Sequence, residues 1–276
     1  ITLSHTSSRK PRTKIVATVG PACGTVEMLR ALIDAGVDVF RINTAHGTRE
    51  EHQATLDSIR QASETTNQPV GVLVDLAGPK IRLGKLLDDP TQCELDQEFR
   101  FVRGDTSAAA AQLICNYVRL VDELKIGDRV MLADGTVSMQ VTALEAGAAV
   151  CRVTGAGILR SRQGVNLPGV TLTVPAMTEA DLDNAKWAAQ AGADFISLSF
   201  VRSPDEVIQL KQLVQSFGSS AMTVAKIEKA EAMSCLEDIV LAADAVMVAR
   251  GDLGVEIELA ETPMAQKRIV STCQRL

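Results

Sequence analysis

The sequence predicts an α/β fold: a (β/α)8 barrel of the TIM type that stops after about six βα units and carries a small inserted all-β domain. Three observations predict it. Six short runs are rich in Val and Ile and apolar on both faces, as in a parallel sheet covered by helices. Amphipathic stretches of helical period separate these runs. Between about residues 84 and 168 the helical period gives way to alternation.

Periodicity places the individual elements along the chain. The predicted strands are Lys14–Val19, Val37–Asn43, Val70–Leu76, Asp194–Phe200, Met222–Glu228 and Ala245–Arg250. The predicted helices are Val26–Ala35, Arg49–Thr65, Glu179–Ala191, Pro204–Phe217, Ala230–Ala242 and Thr262–Leu276. Thr178 and Asp181 are expected to cap the helix that begins at Glu179.

The alternating segment is predicted to be a separate domain. Its Asp134-Gly135 pair lies between two alternating apolar runs, which indicates a hairpin with a tight turn. A complete barrel needs eight strands and about 250 residues, so we expect the rest of the barrel to be absent from this chain. The predicted organisation is barrel residues 1–83 with a polar tail at 1–13, an inserted β-domain at 84–168, and barrel residues 169–276.

A faint repeat supports the βα units. In each copy a helix ends, a small residue allows the turn, and an aspartate precedes a buried strand. The copies are residues 35–39, 191–195 and 242–246, which contain Asp38, Asp194 and Asp244.

Composition excludes several classes of function. A net charge of −6 with one Trp, one Tyr and six Phe argues against a nucleic-acid-binding protein. No apolar stretch approaches the roughly 18 residues of a membrane span. The six cysteines form no Cys-x-x-Cys pair and indicate reduced thiols in a cytoplasmic protein. With three histidines in the chain, a metal ion is expected to be bound by carboxylates, which favours Mg²⁺ or Mn²⁺.

Polar side chains gather at the carboxyl ends of five predicted strands. In βα barrels this end of the sheet carries the active site. Several of these side chains are cationic, so the pattern predicts a site for an anionic substrate. The residues are Arg41, Asn43, Asp75, Ser199, Arg202, Lys226, Glu228, Arg250 and Asp252.

Lys226 and Glu228 are two residues apart on a predicted strand, so both side chains point to the same side. One interpretation is a structural ion pair with neighbouring charges. The other assigns Glu228 and Asp252 to a divalent metal ion and Lys226 to a transferring anionic group. Spacing alone leaves both open.

Two glycine-containing segments, at residues 78–82 and 250–254, could bring the backbone close to an anionic ligand. Both are also typical of ordinary turns. His46 is equally compatible with a loop histidine that has a backbone partner.

Together these segments resemble the pyruvate kinases. The resemblance is carried, in the family's order, by KIVATVGP at 14–21, RINTAHG at 41–47, DLAGPKIR at 75–82, GVNLPG at 164–169, KIE at 226–228 and MVARGDLG at 247–254. It implies phosphoryl transfer from phosphoenolpyruvate to ADP, giving pyruvate and ATP. It also implies a β-domain that closes over the site as a lid, a C-terminal domain that is absent from this chain, and a homotetramer for the full-length protein.

The resemblance further implies roles for individual residues. Lys226 and Arg41 would be catalytic, with Arg41 on the phosphate, and Glu228 and Asp252 would bind Mg²⁺ or Mn²⁺. The implied nucleotide ligands are Asn43, His46 and Arg82. The implied substrate-binding residues are Arg41, Lys226, Ala249, Arg250, Gly251 and Asp252.

The monovalent-cation region departs from the commoner family pattern. Many members bind K⁺ through a Ser and a Thr at the positions of Ala45 and Leu76. Lys80 stands where potassium-dependent members carry Glu, and its ammonium would replace the ion beside Asn43 and Asp75. We therefore expect no K⁺ requirement.

Two other interpretations stay open. A metal-dependent aldolase or lyase that acts on phosphoenolpyruvate or pyruvate would also use carboxylate-bound Mg²⁺, but would lack the inserted β-domain. Alternatively, a chain without the end of its barrel would be an inactive fragment or pseudoenzyme that binds metal and substrate without turnover.

Overall fold

The computed structural model describes residues 13–104 and 106–276, so the predicted polar tail lies almost wholly outside the described residues. The strands are β1 Val16–Thr18, β2 Val39–Asn43, β3 Gly71–Asp75, β4 Thr91–Cys93, β5 Glu98–Val102, β6 Gln112–Leu113, β7 Arg129–Leu132, β8 Val137–Glu145, β9 Ala148–Gly155, β10 Gly157–Leu159, β11 Val165–Asn166, β12 Phe195–Leu198, β13 Met222–Ile227 and β14 Ala245–Val248. The helices are α1 Val26–Asp34, α2 Arg49–Thr66, α3 Leu120–Glu123, α4 Glu179–Gln190, α5 Pro204–Ser216, α6 Leu236–Ala242, α7 Arg250–Glu256 and α8 Thr262–Arg275. The predicted α/β class is confirmed.

The chain divides into two compact units, and the first contains described residues up to Ala77 together with 182–197 and 213–222. Strands β1, β2, β3 and β12 pair in parallel, in that order. Their registers place Asn43, Asp75 and Ser197 side by side, so the carboxyl ends of neighbouring strands are aligned. Residues on both faces of β3 and β12 are buried, which is the pattern expected when helices cover a parallel sheet. In β2 buried residues alternate with half-buried ones, and β1 is mostly exposed.

The predicted aspartate repeat has a structural role at the start of the strands. Each carboxylate accepts a hydrogen bond from a backbone N–H at the start of a neighbouring strand. These bonds add to the backbone pairing at the amino ends of the strands. The bonds are Ile15 to Asp38 at 2.9 Å, Val72 to Asp194 at 2.7 Å and Thr223 to Asp244 at 2.8 Å.

The second unit contains residues 78–181, 198–212 and 223–276. In it β13 pairs in parallel with β14. Residues 91–166 provide a six-stranded sheet in the order β11-β7-β8-β9-β5-β6 and the antiparallel pair β4–β10. All pairs in the larger sheet are antiparallel except β5–β6. Alternate residues of these strands fill one apolar core, including Phe99, Phe101, Leu132, Met139 and Val141.

The predicted hairpin forms between β7 and β8, although its loop is longer than expected. Leu132 pairs with Val137, so four residues connect the strands rather than two. Ala133, Asp134 and Gly135 all have positive φ, at 51°, 54° and 86°. The left-handed positions therefore include Ala133, which the Asp-Gly signal did not predict.

Two predicted boundaries were wrong in the second unit. The helix expected over 230–242 divides into a 3₁₀ turn at Glu231–Met233 and helix α6. The segment after β14, predicted as a turn, is helix α7. Its two glycines disfavour a helix, but Leu253 is fully buried and Glu256 is paired with Lys229 at 2.7 Å. Packing overrides the local propensity.

The described helices include none that is long and apolar enough to cross a membrane. All six cysteines lie in the described part of the chain, and none of them forms a disulfide. The reduced state predicted for them agrees with this observation, while the cellular location stays a prediction.

Candidate active site

The predicted site residues fall into two groups, one in each unit. The first unit contains Arg41, Asn43, His46 and Asp75. The second unit contains Lys80, Arg82, Lys226, Glu228, Ala249, Arg250, Gly251 and Asp252.

Arg41 and Asp75 form the centre of the first group. Nε and Nη2 of Arg41 lie 2.7 Å and 2.5 Å from Oδ2 of Asp75, whose side chain is 1% exposed. Oδ1 of Asp75 accepts a hydrogen bond from Ser197 at 2.6 Å, and Nη1 of Arg41 donates to Thr18 at 2.9 Å. The carboxylate and the hydroxyl therefore fix the plane of the guanidinium at the end of β2.

The loop after β2 carries Asn43 and His46. The side-chain amide oxygen Oδ1 of Asn43 accepts the Ala45 N–H at 3.1 Å, and Thr44 donates both its N–H and its hydroxyl to the backbone carbonyl of Asp75. The His46 side chain is exposed, and its backbone oxygen lies 2.7 Å from Nε2 of His52. His46 thus lies in the loop with its backbone carbonyl bonded to His52, and the role of its own ring at the site stays a prediction.

Lys226 and Glu228 lie on one side of the chain, as their spacing predicts. Nζ of Lys226 is 3.0 Å from Oε1 of Glu228 and 2.7 Å from the Ser199 hydroxyl, and Oε2 of Glu228 accepts the Phe200 N–H at 2.6 Å. The side chain of Glu228 is 1% exposed. Burial raises the pKa of this carboxyl and the negative charge of Asp252 adds to the rise, while Lys226 and the Phe200 N–H oppose it.

Asp252 lies in the first turn of α7, where its Oδ1 is 3.2 Å from Nζ of Lys80. Ala249 is the residue before this helix, and its carbonyl accepts the Leu253 N–H at 2.9 Å. The N–H groups of the first turn, including those of Gly251 and Asp252, have no acceptor within the helix and point outward beyond its amino end.

Arg250 and Arg82 have different surroundings. Arg250 is exposed at the start of α7. The guanidinium of Arg82 donates to the Arg162 carbonyl at 3.3 Å, and its backbone N–H donates to Asn116 at 2.8 Å. Arg82 is therefore attached to the segment that contains the antiparallel strands.

A family model described as "Pyruvate kinase, barrel domain" matches residues 10–276. The chain belongs to the pyruvate kinase family. It is 41% identical over 259 residues to a pyruvate kinase of Mycobacterium intracellulare, covering 94% of this chain and 55% of that protein. It is 42% identical over 276 residues to pyruvate kinase 2 of Synechocystis, covering 99% of this chain and 47% of that protein. The chain thus spans about half the length of the curated relatives it matches.

Sequence reasoning from the pyruvate kinase motifs missed two side chains, Ser197 and Thr18, which contact the Arg41–Asp75 pair. The signal for Ser197 was present, because Ser197 and Ser199 alternate with apolar residues on one strand and so face the same side. Thr18 could not be found in this way, since its contact depends on the register between β1 and β2.

The second group offers carboxylate oxygens, which are the ligands that a hard divalent cation prefers. Within the described residues, no set of three or more His, Cys, Asp or Glu side chains could hold a metal ion. Glu228 and Asp252 nevertheless provide two carboxylates, and the charge of Asp252 raises the pKa of Glu228. A cation bound there would favour both ionised forms, so these residues fit Mg²⁺ or Mn²⁺ with further oxygens from substrate or water.

Proposed function

We propose that the protein catalyses Mg²⁺-dependent transfer of the phosphoryl group of phosphoenolpyruvate to ADP, giving pyruvate and ATP. The observation that carries this proposal is the buried ammonium of Lys226, 2.7 Å from the Ser199 hydroxyl and 3.0 Å from the Glu228 carboxylate. Membership of the pyruvate kinase family supports it. A cation fixed in this way stabilises charge on a moving group without having to reorient during the reaction.

In the second unit, each remaining residue has a role that suits its position. Glu228 and Asp252 would hold Mg²⁺ or Mn²⁺, which supplies positive charge against the oxygens of the substrate when bound. The first-turn N–H groups of Gly251 and Asp252 would receive the substrate carboxylate, with Ala249 and Arg250 beside them. Lys226 would stabilise the phosphoryl group during transfer.

In the first unit, Arg41 is the proposed phosphate ligand. Its guanidinium is held by Asp75, so it would present a fixed set of donors to phosphate oxygens. Asn43 and His46, with Arg82 from the second unit, are the proposed nucleotide ligands. Phosphoryl transfer passes through a loose, charge-rich transition state, which needs positioned cations more than an acid or a base.

The proposal extends to the domain organisation. Residues 1–83 and 169–276 would belong to a TIM barrel, and 84–168 would form a lid that excludes water, which competes with ADP for the phosphoryl group. The largely antiparallel pairing within 91–166 supports this division. The proposed cytoplasmic location rests on the cysteine pattern, and homotetramer formation in the full-length protein rests on the family resemblance.

We also infer that the reaction does not need K⁺. Lys80 provides a fixed ammonium, and Ala45 and Leu76 lack the side-chain oxygens that would bind the ion. Initial rates should be equal, within about twofold, in K⁺ and in tetramethylammonium buffers of the same ionic strength. Strong activation by K⁺ would contradict this inference.

The direct test is ATP formation from phosphoenolpyruvate and ADP with Mg²⁺. Lys226→Met should lower kcat by at least about 100-fold, because a preorganised charge is lost. Lys267→Met is the matched control, since Lys267 is exposed on α8, and should leave the rate unchanged. Thermal unfolding of both variants checks that they fold.

The two alternatives give different results. A chain that makes no ATP but binds Mn²⁺, and loses that binding in Asp252→Asn, is the inactive metal-binding fragment or pseudoenzyme. Pyruvate formed or consumed without ATP, with another carbon compound as the co-substrate, indicates an aldolase or lyase.

A further inference from the structure

We propose that His52 is a positioning residue for the nucleotide, acting through the backbone of the loop between β2 and α2. This inference rests on the proposed nucleotide role of Asn43 and His46. His52 lies in the first turns of α2, outside every motif that carries the family resemblance. Its partner is the carbonyl oxygen of His46, 2.7 Å from its Nε2.

The hydrogen bond fixes the tautomer of His52. A carbonyl oxygen only accepts, so Nε2 carries the proton and donates it. Nδ1 is buried and has no hydrogen-bond partner among the described residues. A proton on Nδ1 would therefore lie buried without an acceptor, and the neutral Nε2–H form is the one that the surroundings satisfy. The ring makes one hydrogen bond, and that bond is to the loop.

The environment of His52 keeps its ring in place. The residue is 7% exposed, and its ring centroid lies 5.9 Å from that of Trp187. The indole N–H of Trp187 donates to Gln53 at 2.7 Å, and the guanidinium of Arg49 lies 4.8 Å above the Trp187 ring. Because the ring is buried and packed, its position is fixed relative to the helix, and the bond to His46 restrains the backbone of the loop.

The loop approaches the helix closely at Gly47. Its φ is +83°, and a Cβ there would lie 2.9 Å from Oε2 of Glu51 and 3.4 Å from Nε2 of His52. Glu51 also completes a capping box with Thr48. The carbonyl of His46 is thus bonded to His52, while the next two residues are fitted against the first turn of α2.

The first experiment measures the loop without any ligand. In His52→Leu, hydrogen exchange of the amides at 44–48 should become about tenfold faster, because one buried hydrogen bond of about 1.4 kcal/mol is lost. In His52→Gln, whose Nε2–H₂ can donate to the same carbonyl, exchange should return to within about threefold of the wild type. Equal exchange in wild type and His52→Leu would overturn the positioning role.

The second experiment measures Mg·ADP and phosphoenolpyruvate affinities by calorimetry. His52→Leu should weaken ADP binding by about five- to tenfold and leave phosphoenolpyruvate binding unchanged, and His52→Gln should restore the ADP affinity. Trp187→Phe is the matched control: it keeps an aromatic ring against His52 but removes the bond to Gln53 in the same cluster, so it should lower stability without changing ADP affinity.

The outcomes separate this inference from the proposed function. A uniform loss of affinity for both ligands, or the same loss in Trp187→Phe, would show that His52 is merely structural and overturn the proposal. A wild-type chain that binds no ADP would contradict the proposed function, and the exchange measurement would still decide whether His52 positions the loop.

Discussion

At the scale of single residues, the pair Lys226–Glu228 is the feature on which the proposed chemistry depends. The ion pair required by the structural interpretation is present, at 3.0 Å. Such buried pairs stabilise a fold weakly, because desolvation offsets their attraction. Burial raises the pKa of Glu228 most, and the charge of Asp252 adds to the rise, while Lys226 and the Phe200 N–H oppose it. The cost of burying these charges therefore favours the interpretation in which the pair serves a site rather than stability.

Gly47 allows a prediction at the same scale. Gly47→Ala and Gly147→Ala both place alanine at positive φ, +83° and +80°, so the backbone cost is matched. A Cβ at Gly147 meets nothing within 4 Å, whereas one at Gly47 displaces Glu51 from the capping box. Gly47→Ala should therefore cost about 1 kcal/mol more in the free energy of unfolding, measured in urea. Equal costs would show that the close approach is unimportant.

At the scale of elements, the aspartates that precede strands each add a side-chain hydrogen bond to the amino end of a neighbouring strand. Asp194→Ala should lower the free energy of unfolding by about 1–2 kcal/mol, because the Val72 N–H loses its acceptor and Arg60 loses its carboxylate partner while keeping its bonds to two carbonyls. Asp194→Asn should cost less, since its amide oxygen can still accept. Asp57→Ala, an exposed change on α2, serves as the control in the same urea titration.

Two of the aspartates that precede strands, Asp38 and Asp244, predict that the fold is less stable in acid. The ammonium of Lys14 lowers the pKa of Asp38, and for Asp244 partial burial is outweighed by hydrogen bonds from Lys211 and Thr223, so its pKa is also lowered. A lowered pKa contributes stability that is present above about pH 5 and is lost as the pH falls below the unfolded value of about 3.9.

The urea concentration at the unfolding midpoint should decrease as the pH is lowered from 6 to 3. In the double variant Asp38→Asn, Asp244→Asn, this decrease should be smaller. A midpoint that rises on acidification would contradict the assignment.

Local pattern predicted most of the parallel strands and helices to within a few residues, because apolar runs and caps are local properties. The Thr178–Asp181 cap is confirmed, with bonds of 2.9 Å and 3.1 Å between them. Helix α7 could not be predicted, since burial of Leu253 and pairing of Glu256 come from distant parts of the chain. The four-residue loop at Asp134 was likewise fixed by strand register.

At the scale of the whole molecule, the sequence predicted the α/β class and the pyruvate kinase family, which the fold and the family match confirm. Candidate site residues could be named because carboxyl ends of parallel strands are recognisable from pattern. Most of their partners could not, because the contacts of Thr18 with Arg41 and of Lys80 with Asp252 depend on register and on side-chain direction. The supporting role of His52 was missed for the same reason.

The proposed transfer of a phosphoryl group to ADP through Lys226 can be followed directly. Phosphorus NMR of phosphoenolpyruvate, ADP and Mg²⁺ with the protein measures the fate of that group. We expect the phosphoenolpyruvate signal to be replaced by that of the γ-phosphate of ATP, and we expect Lys226→Met, but not Lys267→Met, to suppress this transfer. Release of inorganic phosphate in place of ATP, or equal transfer by Lys226→Met, would contradict the proposal.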